Sequence, residues 1–274
     1  MTVFDQLPLG VVLLGLILTQ VVFIEAGFRY GSGRKVKQNK AQMAQVRAIM
    51  GASLGLLAFM LAFSFSMAQL HFEERTRAYM LEVSAIDSAF RGADLIGKQA
   101  EEDAKALLRH FTQLRLEITQ AARHADRQAV VEMIRESERI HDLLWSIAES
   151  SMEGGGEGAD SSLFAQSILA MIDAHDARLQ AALFNRISPV IWLTLVVMSL
   201  LSMVVMGYQA GLTGTRSSLA TWTLAITFSA VMTLVTDLDR PNMTLFEMNQ
   251  DLMIEMANRM SGGDLWDPAA HDGQ

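Results

Sequence analysis

The sequence predicts an all-α membrane protein in which four transmembrane helices, arranged as two pairs, flank a polar helical bundle. Hydrophobic residues make up 51% of the 274 positions and charged residues only 19%, below the roughly 25% that is typical of soluble domains. Four stretches without charge approach or exceed the about 20 residues that a helix needs to cross a bilayer. The segment between the second and third stretches is rich in charge and has apolar residues at helical spacing.

The four apolar stretches are the predicted membrane spans. The first lies between Asp5 and Glu25, is most apolar at 9–24, and is the shortest. A signal peptide is the alternative for it, but no basic residue precedes the apolar part. The other three cover residues 48–70, 187–215 and 217–236. Helices that are apolar all round have no polar face for water, so these stretches indicate burial in lipid.

The predicted domain plan follows from these spans. It consists of spans one and two with a basic loop (1–70), the polar bundle (71–186), spans three and four (187–241) and a polar tail (242–274). Within the bundle, the glycine-rich segment 150–162 predicts a flexible loop. We expect the helices to continue without a break from span two into the bundle and from the bundle into span three.

The basic residues predict an orientation. Six of them follow span one and none precede it, and the first helix usually dominates orientation. An even number of spans puts both termini and the bundle on one side. The charge rule therefore favours short loops in the cytoplasm and a bundle outside it.

Several classes of function are excluded or disfavoured. With no cysteine, the chain has no thiolate metal site or cysteine nucleophile, and its net charge of -8 argues against nucleic-acid binding. No phosphate loop or nucleophile elbow is present. Asp173 and Asp176 share a helix face but His175 points elsewhere, so we predict no metal site. We expect no enzyme activity and no cofactor.

Span two carries the candidate pore residues. Gly51 and Gly55 form a small-xxx-small motif suited to close helix packing. Phe59 and Phe63 lie beside it, one turn apart. Around a symmetry axis, such rings would form a constriction that gates by dewetting. The alternative is that they pack against a neighbouring helix or lipid, as aromatic residues in membrane helices ordinarily do.

Other candidates lie at the span ends. Glu25 either lines an ion path or pairs with Arg29, four residues on. Gly207 and Gly211 form a second packing motif in span three. After span four, an Asp–Arg combination is placed to clamp the tail to the bundle or to the first loop, or to attract cations to a pore mouth.

The order of these features resembles the bacterial bestrophin-like family of four-span membrane proteins. The resemblance rests on segments along most of the chain, of which the most specific are GYQAGLTG (207–214) and DLDRP (237–241). Others are EAGFRYG (25–31), GLLAF (55–59) and MIDAH (171–175). The family usually has a glycine where this chain has Thr244. The matching charged residues and proline are Arg29, Glu82, Arg91, Asp173, Arg178, Asp237, Asp239, Arg240 and Pro241.

The resemblance extends to bestrophins, which are pentameric ion channels, and it implies an oligomeric pore lined by span two. It also implies a cytosolic bundle, which conflicts with the charge rule. The acidic run that binds calcium in animal bestrophins has no counterpart after Pro241, so it implies no calcium site. The first hypothesis is a homo-oligomeric, channel-like protein in the lipid bilayer, with ions as ligands. The alternative is a membrane-anchored sensor or scaffold whose bundle binds a protein partner.

Overall fold

The computed structural model describes residues 7–33, 40–124, 126–153, 158–214, 218–240 and 250–262, and all regular structure in these ranges is helical. The α-helices are α1 (Leu9–Ser32), α2 (Lys40–Gly92), α3 (Lys98–Arg123), α4 (Arg127–Glu153), α5 (Gly158–Phe184), α6 (Pro189–Thr213), α7 (Ser218–Asp239) and α8 (Asp251–Met260). A 3-10 turn (Ala93–Leu95) follows α2. The all-α prediction is confirmed for these residues.

Four helices, α1, α2, α6 and α7, are long and apolar enough to cross a membrane, which confirms the predicted spans. Helix α1 extends beyond the predicted first span, through Glu25 to Ser32. The basic loop is therefore shorter than expected, since α2 begins at Lys40. The residues fall into two units. Unit 1 comprises Met1–Phe72 and Arg186–Phe246, and unit 2 comprises Glu73–Asn185 and Glu247–Gln274.

In unit 1, α1 and α6 approach each other through glycines. Gly207 lies against the carbonyl of Ile24, and Gly211 lies against the carbonyl of Phe28. From the other helix, Gly27 and Gly31 lie against the backbone of α6. A side chain at any of these four positions would collide with main-chain atoms. Because lipid gives apolar helices no hydrophobic drive to associate, such close backbone contact is the main source of packing energy between spans.

The prediction that one helix continues from span two into the bundle is correct. The prediction that one helix continues from the bundle into span three is wrong. Helix α2 runs unbroken for 53 residues. Helix α5 ends at Phe184, and α6 begins at Pro189 after a short connection. Proline has no N–H to donate and restricts the residue before it, so it fits the first turn of a new helix. The side chain of Ser188 caps this turn by accepting from Val190 N–H.

Unit 2 is an amphipathic helical bundle with one continuous apolar core. The buried side chains that form this core come from α2, α3, α4, α5 and α8. They include Tyr79, Ile86, Leu108, Phe111, Ile140, Leu144, Phe164, Ile168, Met171, Met253, Met256 and Met260. The glycine-rich break is shorter than predicted, since α4 continues to Glu153 and α5 starts at Gly158. Four of the 13 residues from 150 to 162 therefore lie outside the described ranges, and the others are helical.

Helix α8 lies in the segment predicted only as a polar tail. Its buried face consists of Met253, Met256 and Met260, spaced so that they share one side of the helix. The N–H of Met253 donates to the hydroxyl of Tyr79 at 3.2 Å. Arg109 donates to the carbonyl of Met260 at 2.6 Å, which satisfies a carbonyl at the helix end. The tail therefore completes the core of unit 2.

The α1–α6 contact predicts opposite effects for two alanine substitutions. Gly207→Ala would force its Cβ into the Ile24 carbonyl and should destabilise the protein by at least about 2 kcal/mol. Gly15→Ala, in α1, meets no atom within 4 Å and should be neutral or slightly stabilising, since alanine favours helix. Thermal unfolding in detergent compares the two. Equal melting temperatures would show that the close approach contributes nothing.

Candidate functional site

The membrane segment of α2 has two opposite faces. One face is buried within unit 1 and consists of Leu57, Leu61, Ser64 and Ala68. The other is exposed. It includes Gly51, Gly55, Ala58, Phe59, Ala62 and Phe63, which we call the α2 open face, and beside them the large side chains Ile49, Leu56 and Leu70. Phe59 is 66% exposed and Phe63 is 51% exposed. Among described residues, no atom lies within 4 Å of a Cβ added at Gly51 or Gly55.

The exposed sides of all four spans carry large side chains, namely Val11, Leu14, Leu18 and Val22 on α1, Ile49, Leu56 and Leu70 on α2, Val190, Leu193, Val197 and Leu201 on α6, and Leu219, Trp222 and Ile226 on α7. Such side chains are suited to contact with lipid tails. Small residues allow another backbone, or a permeating ion, to come close. The α2 open face adds to these side chains a glycine pair, Gly51 and Gly55, beside Phe59 and Phe63.

The structure places Glu25 beside Arg29. The guanidinium Nε lies 3.0 Å from Oε1 of Glu25, and the two residues are one turn apart on α1. Arg29 is 78% exposed, so this pair contributes little to stability. The same helix end carries Tyr30, whose ring lies 5.8 Å from the ring of Tyr208 on α6. This geometry fits the pairing alternative for Glu25.

The Asp–Arg segment after span four joins parts of unit 1. Asp239 accepts from the N–H of Ile187 at 2.7 Å and from the indole N–H of Trp192 at 3.3 Å. Its negative charge therefore lies at the positive end of the α6 dipole. Arg240 donates to the carbonyl of Leu7, ahead of α1, at 2.8 Å. These hydrogen bonds join the Asp–Arg segment to the starts of α6 and α1, whereas the sequence predicted a clamp to the bundle or to the first loop.

Pro241 and Thr244 lie outside the described residues. Asp237, the first residue of the DLDRP segment (237–241), is fully buried near the end of α7.

In unit 2, Glu82 is fully buried and gathers three partners. Its Oε1 lies 3.0 Å from Nε of Arg115 and 3.1 Å from Nδ1 of His175. Its Oε2 accepts from Arg178. Because an ionised carboxylate has no hydrogen to give, Nδ1 of His175 is the donor. The three partners come from α3 and α5, so one carboxylate on α2 links three helices.

The charges around Glu82 decide its ionisation. Burial alone raises the pKa of this carboxyl, but the guanidinium groups of Arg115 and Arg178 and the hydrogen bond from His175 outweigh burial and lower it to about 2. Burial lowers the pKa of Arg115 to about 10, because the opposing attraction of Glu82 only partly compensates. Both groups therefore stay charged at neutral pH. Breaking such a buried pair costs about 3–5 kcal/mol.

His141 completes the surroundings of this cluster. Its ring centroid lies 4.9 Å from that of His175 and 5.1 Å from that of Phe111. Burial lowers the pKa of His141 to about 4, and the neighbouring His175 adds to this effect. His141 is therefore neutral at physiological pH. We call Glu82, Arg115, His141, His175 and Arg178 the buried charge cluster.

Two other residues of the predicted motif stay outside this cluster. Arg91 pairs with Asp87 at 3.0 Å on the surface of α2, and Asp173 is exposed on α5. In the described ranges, no three His, Asp or Glu side chains are placed to hold a metal ion.

Comparisons with known proteins point to one family. The profile of the Bestrophin-like domain matches residues 15–242, most of the chain. The chain belongs to the bestrophin-like family. A crystal structure of a variant bacterial bestrophin homolog from Klebsiella pneumoniae superposes with a TM-score of 0.62 at 14% identity, over 92% of this chain and 97% of that one. No curated protein matches the sequence.

Two further crystal structures of membrane-protein variants give similar values. One has a TM-score of 0.62 at 13% identity and covers 93% of this chain and 99% of that one. The other has a TM-score of 0.61 at 15% identity and covers 92% and 98%. Since the identities are low, these likenesses show that the bestrophin-like protein shares their fold.

Sequence analysis of this bestrophin-like chain missed three members of the buried charge cluster. Arg115 and His141 were not singled out, and His175 was set aside as pointing away from its acidic neighbours. A signal was present: Arg115 lies on the same heptad-like stripe as Leu108, Phe111 and Ile118. A charged residue at a core position of an amphipathic helix must be paired or exposed. Glu82, on the stripe of Tyr79 and Ile86, is its counterpart.

The pKa of His141 predicts acid sensitivity. The folded value of about 4 lies below the ordinary 6.5, so the unfolded chain takes up this proton first as pH falls. The groups that act on the ring are His175, Asp176, Glu82 and Arg115. Stability should therefore fall between pH 6.5 and 4, by up to about 3 kcal/mol. Glu82 adds a further loss between its ordinary 4.5 and about 2.

Replacing the ring isolates this effect. His141→Phe keeps the contact with Phe111 and should flatten the dependence of melting temperature on pH between 6.5 and 4. His110→Gln, at a histidine whose side chain is 57% exposed, should leave the dependence unchanged. An unaltered pH profile in His141→Phe would assign the acid sensitivity to other groups.

Proposed function

We propose that this bestrophin-like protein assembles into a homo-oligomer in which the α2 open faces line an ion pathway. The observation that carries the proposal is the open face itself, which combines small residues with Phe59 and Phe63 and has no described partner close to its glycines. Homo-oligomers usually have closed symmetry, and a cyclic ring brings one such face from each subunit to the axis. The number of subunits is five by resemblance to bestrophins.

The chemistry of the open face supports a dry constriction. No charged residue lies between positions 48 and 70. Phe59 and Phe63 are one turn apart, so both rings can face one axis. The barrier to ions would then come from dewetting of an apolar ring and not from a charged one. Glu25 pairs with Arg29 in this structure and is assigned no part in the constriction.

The alternative is a membrane-anchored sensor or scaffold. It is favoured by the acidic excess of residues 71–186 and by the lack of ionisable side chains in the middle of any predicted span. In that case the open face would contact lipid or a different protein. The oligomeric state separates the two functions, since a closed ring supports a pore and a monomer or dimer supports the scaffold.

The oligomer hypothesis predicts that Gly55→Leu shifts the protein towards monomer. Within the protomer the new side chain meets open space, so folding should be preserved. Between subunits it would prevent close backbone approach, which lipid cannot offset by a hydrophobic drive. Native mass spectrometry measures the distribution. Gly15→Leu, an equally open glycine on α1, is the control and should keep the wild-type oligomer. The same oligomer in both variants would remove α2 from the interface.

The pore hypothesis predicts that the Phe59→Ala, Phe63→Ala double variant conducts more than the wild type. Removing both rings widens the constriction and lowers its dewetting barrier. Ion flux in reconstituted bilayers is the measurement. Phe65→Ala is a matched control on the same helix, where Phe65 is 37% exposed and lies outside the open face. Reduced ion flux through the double variant, with its assembly intact, would mean that the two phenylalanine rings only pack the helices. No flux from any protein, in several salts and voltages, would favour the scaffold.

We further propose a bacterial inner-membrane location from the likeness to a bacterial bestrophin homolog, with unit 2 outside the cytoplasm from the charge distribution. Six basic residues follow the apolar part of α1 (9–24) before span two, and none precede it. An alkaline phosphatase fused after Gly155 should therefore be active. If that fusion is inactive and a cytoplasmic reporter at the same position works, the orientation is reversed, as the likeness to bestrophins implies.

A further inference from the structure

The buried charge cluster contains four nitrogen atoms without a hydrogen-bond partner in the described structure. They are Nε and Nη1 of Arg115, Nε2 of His141 and Nε2 of His175. Of these, Nε of Arg115 lies 3.0 Å from Oε1 of Glu82 as an ion pair. The three side chains are 3%, 7% and 1% exposed. Buried polar atoms are nearly always satisfied by protein or by a bound species. Because these side chains are linked through Glu82 and through the contact of the two histidine rings, the other three atoms point to a bound species among them.

The cluster also has an unbalanced charge. Arg115 and Arg178 bring two positive charges to the single carboxylate of Glu82. His141 is neutral at physiological pH, as argued above. Asp173 and Asp176 are exposed on α5, where solvent screens their charge, although Asp176 acts on His141 through space. The interior of unit 2 thus holds an excess positive charge, which is costly unless an anion compensates it.

The excess lies at Arg115. Arg178 is 12% exposed, donates to Oε2 of Glu82 and lies over the ring of Tyr79 at 5.0 Å, so its charge is shared among a carboxylate, an aromatic face and solvent. Arg115 must share Oε1 of Glu82 with His175. Its Nη1 therefore has hydrogens to donate and no acceptor among the described residues.

We propose that the bundle core of unit 2 binds one small monovalent anion, of the chloride, bromide or nitrate class, on Nη1 of Arg115 and Nε2 of His141. Neutral His141 can carry its hydrogen on Nε2 and donate it to the anion. In the tautomer of His175 that donates Nδ1–H to Glu82, Nε2 is an acceptor. A water molecule beside the anion satisfies this atom by donating one hydrogen to it and the other to the anion.

Burial selects among anions. The anion must lose nearly all of its hydration shell, because the side chains around it are almost completely excluded from solvent. Weakly hydrated bromide and nitrate should therefore bind at least as well as chloride. Sulfate is strongly hydrated and gluconate is too large to fit among close-packed side chains. The site lies in unit 2, is distinct from the α2 open face, and does not depend on the protein being a channel.

Thermal unfolding of the full-length protein in detergent tests the proposal. Sodium gluconate is replaced by sodium chloride or bromide at constant ionic strength. The melting temperature should rise and saturate, by about 3 °C at ten times the dissociation constant. Arg115→Met should abolish the rise and His141→Phe should weaken it. Arg139→Met, which removes a 68% exposed arginine, should retain it.

Other outcomes overturn the proposal. A rise that is absent in the wild type, or that persists in Arg115→Met, excludes the site. A rise lost in the Phe59→Ala, Phe63→Ala variant places the anion elsewhere. If Arg115→Met does not fold, anomalous diffraction from wild-type crystals grown in bromide shows whether an anion occupies the site. A bromide peak beside Nη1 of Arg115 and Nε2 of His141 is expected, and water density without anomalous signal there refutes the anion.

Discussion

The membrane-spanning half of this protein is governed by one constraint: lipid neither satisfies backbone polar groups nor drives apolar helices together. The first part forces every span to be helical. The second makes close backbone approach the main source of packing energy, and Gly27, Gly31, Gly207 and Gly211 supply it between α1 and α6. Where the α7 end meets the start of α6, Asp239 adds hydrogen bonds that water would otherwise weaken.

Unit 2 solves a different problem. In water, its amphipathic helices are driven together by apolar burial, and the core contains methionines of α8 as well as apolar residues of α2, α3, α4 and α5. The same core contains Glu82 with its arginine and histidine partners. A hydrophobic replacement of such a cluster is often no less stable, so stability alone does not explain its presence. A ligand-binding role does explain it, because a ligand needs donors that the protein leaves unpaired.

Composition and charge-free runs were enough to predict the fold class and the four spans, because the requirement for about 20 apolar residues is strong. Apolar length alone does not indicate the break before span three, whereas Pro189, which fits the first turn of a new helix, does. The tail helix was missed because three methionines in ten residues are a weak signal. The buried charge cluster could not be assembled from sequence, because its members lie on four different helices. Only tertiary packing brings them together.

Helix α2 shows why buried and exposed faces must be judged together. Its exposed side carries Leu56 and Leu70, as lipid-facing spans do, and beside them glycine, alanine and two phenylalanines. Glycine costs helix stability, and a close approach of backbone can compensate for that cost. Between α1 and α6 the compensation is visible at Gly27, Gly31, Gly207 and Gly211. Gly51 and Gly55 have no such neighbour among the described residues, and neither has Gly15. The proposed ring would bring a second backbone to the α2 pair alone, which is why the Gly15 variant is its control.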